Sequence, residues 1–102
     1  MKNTDLVEAL GQIPSAPVWI ASPILKHGDR KDIREFSARA TDEGDTRMFI
    51  LDDTFRDFQR ANFTLDKGCE LRDDTGHYRC IEVIPIRSMR KIHPALVTQR
   101  IT

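Results

Sequence analysis

The feature that most constrains this chain is the turn cluster Asp73-Asp74-Thr75-Gly76, set between two short apolar-alternating runs, residues 69–72 and 77–84. Acid side chains close turns on their own backbone, and glycine tolerates backbone angles that other residues avoid, so the segment predicts a β-hairpin. Its register is open to argument. A symmetric loop of two or four residues sets Cys69 against Cys80, Glu70 against Arg79, Leu71 against Tyr78 and Arg72 against His77. One face is then apolar and the other polar and partly charge-paired. A three-residue loop with a glycine bulge sets Leu71 against Arg79 and mixes the faces, so facing favours the symmetric loop. Beyond Cys80 the alternation fails, because Ile81, Val83, Ile84 and Ile86 are all apolar and Glu82 interrupts them. Either a bulge switches the faces near Cys80 or the strand is buried on both sides, as in a small curled sheet or barrel.

The rest of the chain reads around this hairpin. Thr4 is a plausible N-cap, Asp5 and Glu8 suit the positive end of a helix dipole, and Leu6, Leu10 and Ile13 share one helical face, so residues 1–13 are expected to form a short helix. Residues 14–32 are expected to hold a Pro-containing linker, an edge strand or extended arm at Val18-Trp19-Ile20 that Pro23 interrupts, and a polar loop over 27–32. Residues 33–102 are expected to be the β-rich core of a single domain. Within it, Ile33, Phe36 and Ala40 fit a helical stripe, yet Phe36, Ala38 and Ala40 also alternate as a strand. The strand is favoured. A four-residue loop at Asp42–Asp45 returns it into Arg47–Leu51, pairing Phe36 with Leu51 and Ala38 with Phe49. Asp52, Asp53 and Thr54 supply caps for a short helix near 54–61 that turns Phe55 and Phe58 to the core. Pro85 is expected to end its strand, with a basic connection at Arg87, Arg90 and Lys91 and a last strand over Ala95–Ile101. The predicted fold class is a β-rich α+β domain, a small curled antiparallel sheet or β-barrel.

Chemistry is harder to place than structure. Cys69, His77 and Cys80 lie within twelve residues, but on a strand His77 and Cys80 point to opposite faces and no paired C-x-x-C or fourth ligand is evident. The thiols are read as core residues, the two cysteines being too few for the disulfide framework of a small secreted domain. No histidine has a recognisable spacing to a nucleophile, and the five glycines are isolated, so no phosphate-cradling loop exists. The expectation is no enzyme activity, no metal, no cofactor and no small-molecule substrate. Lys2, Asp5 and Glu8 stand where a signal peptide needs an apolar stretch, and no apolar run is long enough to cross a membrane, so no membrane association is expected.

Charge is uneven although the net charge is zero: residues 83–102 carry Arg87, Arg90, Lys91 and Arg100 with no acid. Residues 1–82 hold all 16 acids against 12 Lys and Arg. A basic tail on an acidic body suits nucleic acid, an acidic partner or another copy of the chain.

From Met48 onward, the progression strand, capped helix, Lys67-Gly68, short strand, turn, Tyr78-Arg79-Cys80-Ile81-Glu82-Val83-Ile84-Pro85 and closing strand resembles the tailed-phage head–tail joining proteins. In that family K/R-G-D-x-L, G-x-x-Y-x-V and V-x-P mark a small β-barrel core. Here Cys69 stands where the family often has Asp, and Cys80 where it has Val. The resemblance covers about residues 48–102 and implies a non-enzymatic virion component, present in the bacterial host's cytoplasm during assembly. It implies a homo-oligomeric ring meeting portal, connector or tail proteins, with DNA passing through the ring. On that reading Arg87, Arg90, Lys91 and Arg100 face an interface or DNA, and Val18, Trp19 and Ile20 form a docking arm. The alternative is a small nucleic-acid-binding regulator that uses the basic 87–91 connection.

Overall fold

The computed structural model describes residues 12–26 and 30–101, with the side chains of 23–26, 30 and 31 left aside. The expected helix over 1–13 falls almost wholly outside them. Six strands close into an antiparallel barrel in the order β1-β2-β3-β6-β5-β4. They are β1 (Ala16–Lys26), β2 (Arg30–Glu43), β3 (Thr46–Leu51), β4 (Glu70–Asp73), β5 (Gly76–Ser88) and β6 (Lys91–Arg100). A short helix, α1 (Phe55–Arg60), follows β3. No helix among the described residues is long and apolar enough to cross a membrane. The expected β-rich fold is therefore present as a closed barrel, with the short helix expected near 54–61 where the caps placed it.

The anchoring hairpin has the symmetric register: Glu70 pairs with Arg79, Leu71 with Tyr78, Arg72 with His77 and Asp73 with Gly76. One rung further, the Cys80 amide donates to the Cys69 carbonyl at 2.8 Å. Asp73 closes the turn with its side chain, whose Oδ1 accepts from the Thr75 amide at 2.8 Å, the Gly76 amide at 3.2 Å and the Thr75 hydroxyl at 2.6 Å. Cys69, Leu71, Tyr78 and Cys80 are all buried, on the shared face that the register requires. The broken alternation after Cys80 is a bulge. Cys80 pairs with Thr98 but Glu82 with Val97, so Ile81 is the extra residue, left partly exposed. Past it, Val83 packs on the interior and Ile84 and Ile86 lie on the opposite face.

Three expectations change. The segment 33–41 is a strand, but β2 and β3 turn through two residues, Gly44 and Asp45, so Ala38 meets Leu51 and Ala40 meets Phe49. A shift of two residues keeps every side chain on its expected face, and Gly44 takes φ 62°, which suits the tighter turn. The stretch Val18–Ile20 is neither an edge nor an arm, since β1 pairs with β2 along its length and with β4 over Trp19–Ala21. Segment 14–32 is thus largely barrel wall, and the expected polar loop over 27–32 gives way to strand from Arg30 onward. The proline Pro23 falls where the β1–β2 register shifts, between Ala21 and Leu25. Finally, Pro85 does not end β5. It faces Pro94 across the β5–β6 pair, so both missing donors fall on one rung and the ladder continues to Ser88 and Lys91.

The interior is solid. Phe49, Ile20, Leu51, Leu71, Leu96 and Val18 are fully buried, and Tyr78 packs edge-on to Phe49 at 5.5 Å. The helix is fixed by a capping box in which Thr54 accepts from the Asp57 amide and the Asp57 carboxylate accepts from the Thr54 amide. Asn62 at φ 54° ends it, and the Phe63 amide donates to the Phe58 carbonyl at 3.1 Å. Only Phe58 of the expected pair is buried; Phe55, on the first turn, is 37% exposed. Phe58 stacks at 4.7 Å from Phe36, with Phe63 beside both.

Candidate functional site

Of the residues singled out in sequence, Arg87, Arg90 and Lys91 come together and Arg100 does not. Residues Ser88 and Lys91 pair, leaving Met89 and Arg90 as a two-residue turn with φ of 47° and 69°. Positive φ at both turn positions is the mirror-image turn that matches strand twist, here made without glycine or asparagine. The turn carries Met89, 92% exposed, flanked by exposed Arg87, Arg90 and Lys91 and by Ile92. β4 and the residue before it meet β5 as far as Cys80, and β3 pairs with β6 only from Ala95. Ile86 is still buried against Ile50 and His93 still reaches the Leu51 carbonyl, so it is the tip beyond Ile86 and His93 that projects past the closed wall. Arg100 sits nine residues from Lys91 along β6, about 30 Å away. It donates to the Thr75 carbonyl at 2.8 Å and covers the Tyr78 ring.

The expected docking arm is corrected in the same way. Val18 and Ile20 point into the core at 1% and 0% exposure, and only Trp19 faces outward. There it lines a groove of about 270 Å³ with Ala21, Ile33, Glu70, Arg72 and His77. His77 Nε2 lies 3.3 Å from Glu70 Oε1 across the β4–β5 pair. Apolar Trp19 and Ile33 thus share one wall with a polar rim, a surface distinct from the projecting hairpin.

The residues that could have carried reaction chemistry are engaged elsewhere. Burial pushes the Cys69 thiol up and the Cys80 thiol up to about 11, so neither is a thiolate near neutrality. Cys80 donates to the Glu82 carbonyl at 3.3 Å. His93 Nδ1 lies 3.0 Å from the Leu51 carbonyl, to which an Nδ1–H donates, and it lines a second cavity of about 270 Å³ with Arg39, Asp52 and Ser88. Among the described residues no hydrogen bond joins Ser88 to His93, so they form no nucleophile–base pair. Burial, then the neighbouring Asp57 and Asp52, raise the Asp53 carboxyl above the usual range, with His93 opposing. No cluster of ligating side chains that could hold a metal occurs among the described residues.

One constellation was not legible in sequence. Arg47 reaches Asp42 at 2.8 Å and Asp73 at 3.3 Å while lying over the Phe49 and Tyr78 rings. It ties the β2–β3 hairpin to the β4–β5 turn, residues distant in sequence, so no local spacing signals it. Its partner Asp73 is committed by the turn, which makes the cluster structural. Searches of family models, of curated proteins and of solved structures return no match to this chain.

Proposed function

We propose that this chain is a structural, non-enzymatic virion subunit of a tailed phage, a head–tail joining or tail-completion protein that assembles into a ring. The observation that supports this best is the separation of two exposed surfaces on a rigid, filled barrel. One is the projecting β5–β6 hairpin with Met89 and Ile92 among Arg87, Arg90 and Lys91; the other is the Trp19–Ile33 groove on the β1–β4 wall. A ring of identical subunits needs such unlike surfaces on one protomer, because its contacts are heterologous. With the barrel interior filled by side chains, DNA in such an assembly runs through the hole of the ring and not through any barrel. The hairpin cations face that hole or an acidic neighbour. The subunit belongs in the virion, and in the bacterial cytoplasm while the particle is built.

Native mass spectrometry and negative-stain microscopy test this, on the chain alone and mixed with portal, connector and tail proteins. Rings, alone or on a partner, are expected. A monomer at high concentration, unchanged by every partner, overturns the proposal.

The exposed cations favour one second reading, a nucleic-acid-binding regulator. The combined substitution Arg87→Ala, Arg90→Ala and Lys91→Ala separates the two. A regulator loses duplex affinity, and the slope of log affinity against log salt falls by up to about 3, at roughly 0.9 per phosphate contact. A joining protein fails in assembly instead.

A further inference from the structure

The tip of the β5–β6 hairpin carries cations on both of its faces. Side chains alternate along a strand and paired residues share a face, so the rungs fix the arrangement. Ile86 pairs with His93, Arg87 with Ile92 and Ser88 with Lys91. Lys91 therefore shares the face of Ile86 and His93, Arg87 and Ile92 share the opposite one, and Met89 and Arg90 form the apex. Arg87, Arg90 and Lys91 are all exposed, and residues 83–102 contain no acid. Among the described residues neither Arg87 nor Arg90 makes a hydrogen bond or ion pair. Asp57, in the first turn of α1, feels the charge of Lys91, but its carboxylate already accepts from the Thr54 amide. The apex itself is strained: Met89 and Arg90 take φ of 47° and 69°, at a turn whose favoured pair is Asn-Gly. Non-glycine residues held in this region cluster at active sites and ligand clamps. Here they leave Met89 92% exposed, with Arg90 beside it.

We propose that this tip enters the major groove of duplex DNA end-on. A flat acidic protein surface engages the cations on one face of a ribbon, whereas a groove between two phosphate chains engages both. The major groove is about 12 Å wide and about 8.5 Å deep, and it admits a two-stranded ribbon. The two rungs beyond Ile86 and His93 reach about 7 Å, and the turn carries the apex on to the groove floor. Arg87 and Lys91 then meet phosphates on opposite walls. Met89 meets the base edges, where the thymine methyl is its apolar partner, and Arg90 meets base acceptors or a phosphate beside it. The inference deepens the reading proposed above by giving the tip DNA in place of an acidic neighbour; it does not require the ring.

Fluorescence anisotropy of a labelled DNA duplex titrated with the full chain tests it. The slope of log affinity against log salt is expected to fall by about 0.9 for Arg87→Ala and by about 0.9 for Lys91→Ala, each alone, because both walls are engaged. Met89→Asn with Arg90→Gly gives the apex its favoured turn, so this variant keeps a melting temperature at or above that of the wild type while duplex binding weakens about tenfold. A duplex with uracil in place of thymine lacks the groove methyls; the wild type binds it more weakly than the thymine duplex, and the turn variant binds the two alike. The proposal is overturned by absence of duplex binding at low salt, by an effect from only one of Arg87 and Lys91, or by a turn variant that binds as the wild type does. It is overturned equally by displacement with a minor-groove ligand, or by polyglutamate binding as tightly as the duplex, which would assign the tip to an acidic protein. Native mass spectrometry of the same samples reports ring formation independently, so failure of this inference and failure of the ring reading are told apart.

Discussion

Replacing Phe58 by alanine tests whether the helix is held by one side chain. Phe58 is the buried residue of α1, 3% exposed, with its ring 4.7 Å from Phe36 and 6.2 Å from Phe63. The helix has only six residues, too few to persist without packing, so its attachment to the barrel runs through this ring. Truncating a buried phenylalanine costs about 3–5 kcal/mol, a large part of the roughly 5–15 kcal/mol that holds a domain of this size. At about 4–8 °C per kcal/mol, the melting temperature drops by about 12 °C or more. Phe55→Ala is the control, since the same sequence pattern marks both residues but Phe55 is 37% exposed. It is expected to cost about 1 kcal/mol or less. Urea and thermal unfolding, followed by far-ultraviolet circular dichroism, give both values. If the two variants lie within about 1 kcal/mol of each other, the assignment of Phe58 as the anchor is wrong.

The remaining expectations are briefer. Asp73→Ala removes an acceptor used by two amides and a hydroxyl and takes one carboxylate from Arg47, so it destabilises by about 3 kcal/mol in urea unfolding. A loss below about 1 kcal/mol would show that water replaces the side chain there. The Cys80 thiol titrates at about 11 in the fold against 9.0 for a free thiol, so its contribution is complete below pH 9. As pH rises from 9 towards 11 the unfolded chain ionises first and stability falls; Cys80→Ala flattens that part of the profile, measured as denaturation midpoints against pH. Native thiol-alkylation rates at pH 8 are expected to rise sharply on adding denaturant, because Cys69 and Cys80 are both buried.

The hairpin at Asp73–Gly76 was legible because its constraints are local: the turn chemistry and the facing of Cys69, Leu71, Tyr78 and Cys80 admit one register. The bulge was half legible. Broken alternation showed that something happens after Cys80, but only the pairing with β6 identifies Ile81 as the extra residue. What sequence missed is what depends on closure. Val18 and Ile20 read as an edge because Pro23 forbids a ladder bond, whereas β4, a strand of four residues fifty positions away, pairs at Trp19–Ala21, short of the proline. The basic residues read as one tail, yet strand length separates Arg100 from Lys91 by the height of the barrel. Arg47 and its carboxylates, brought together from two hairpins, left no periodic trace at all.

The β5–β6 hairpin has a consequence for how such a chain can vary. Beyond buried Ile86 and Leu51-bound His93, the last rungs pair only with each other and are largely exposed, so rungs can be added or removed there without disturbing the closed wall. Each inserted pair of residues on both strands lengthens the reach by about 7 Å and preserves which side chains face the barrel, while a single inserted residue on each strand reverses them. The tip is in effect a ruler graduated in steps of two, able to meet a partner at a different distance while the body that carries it stays the same.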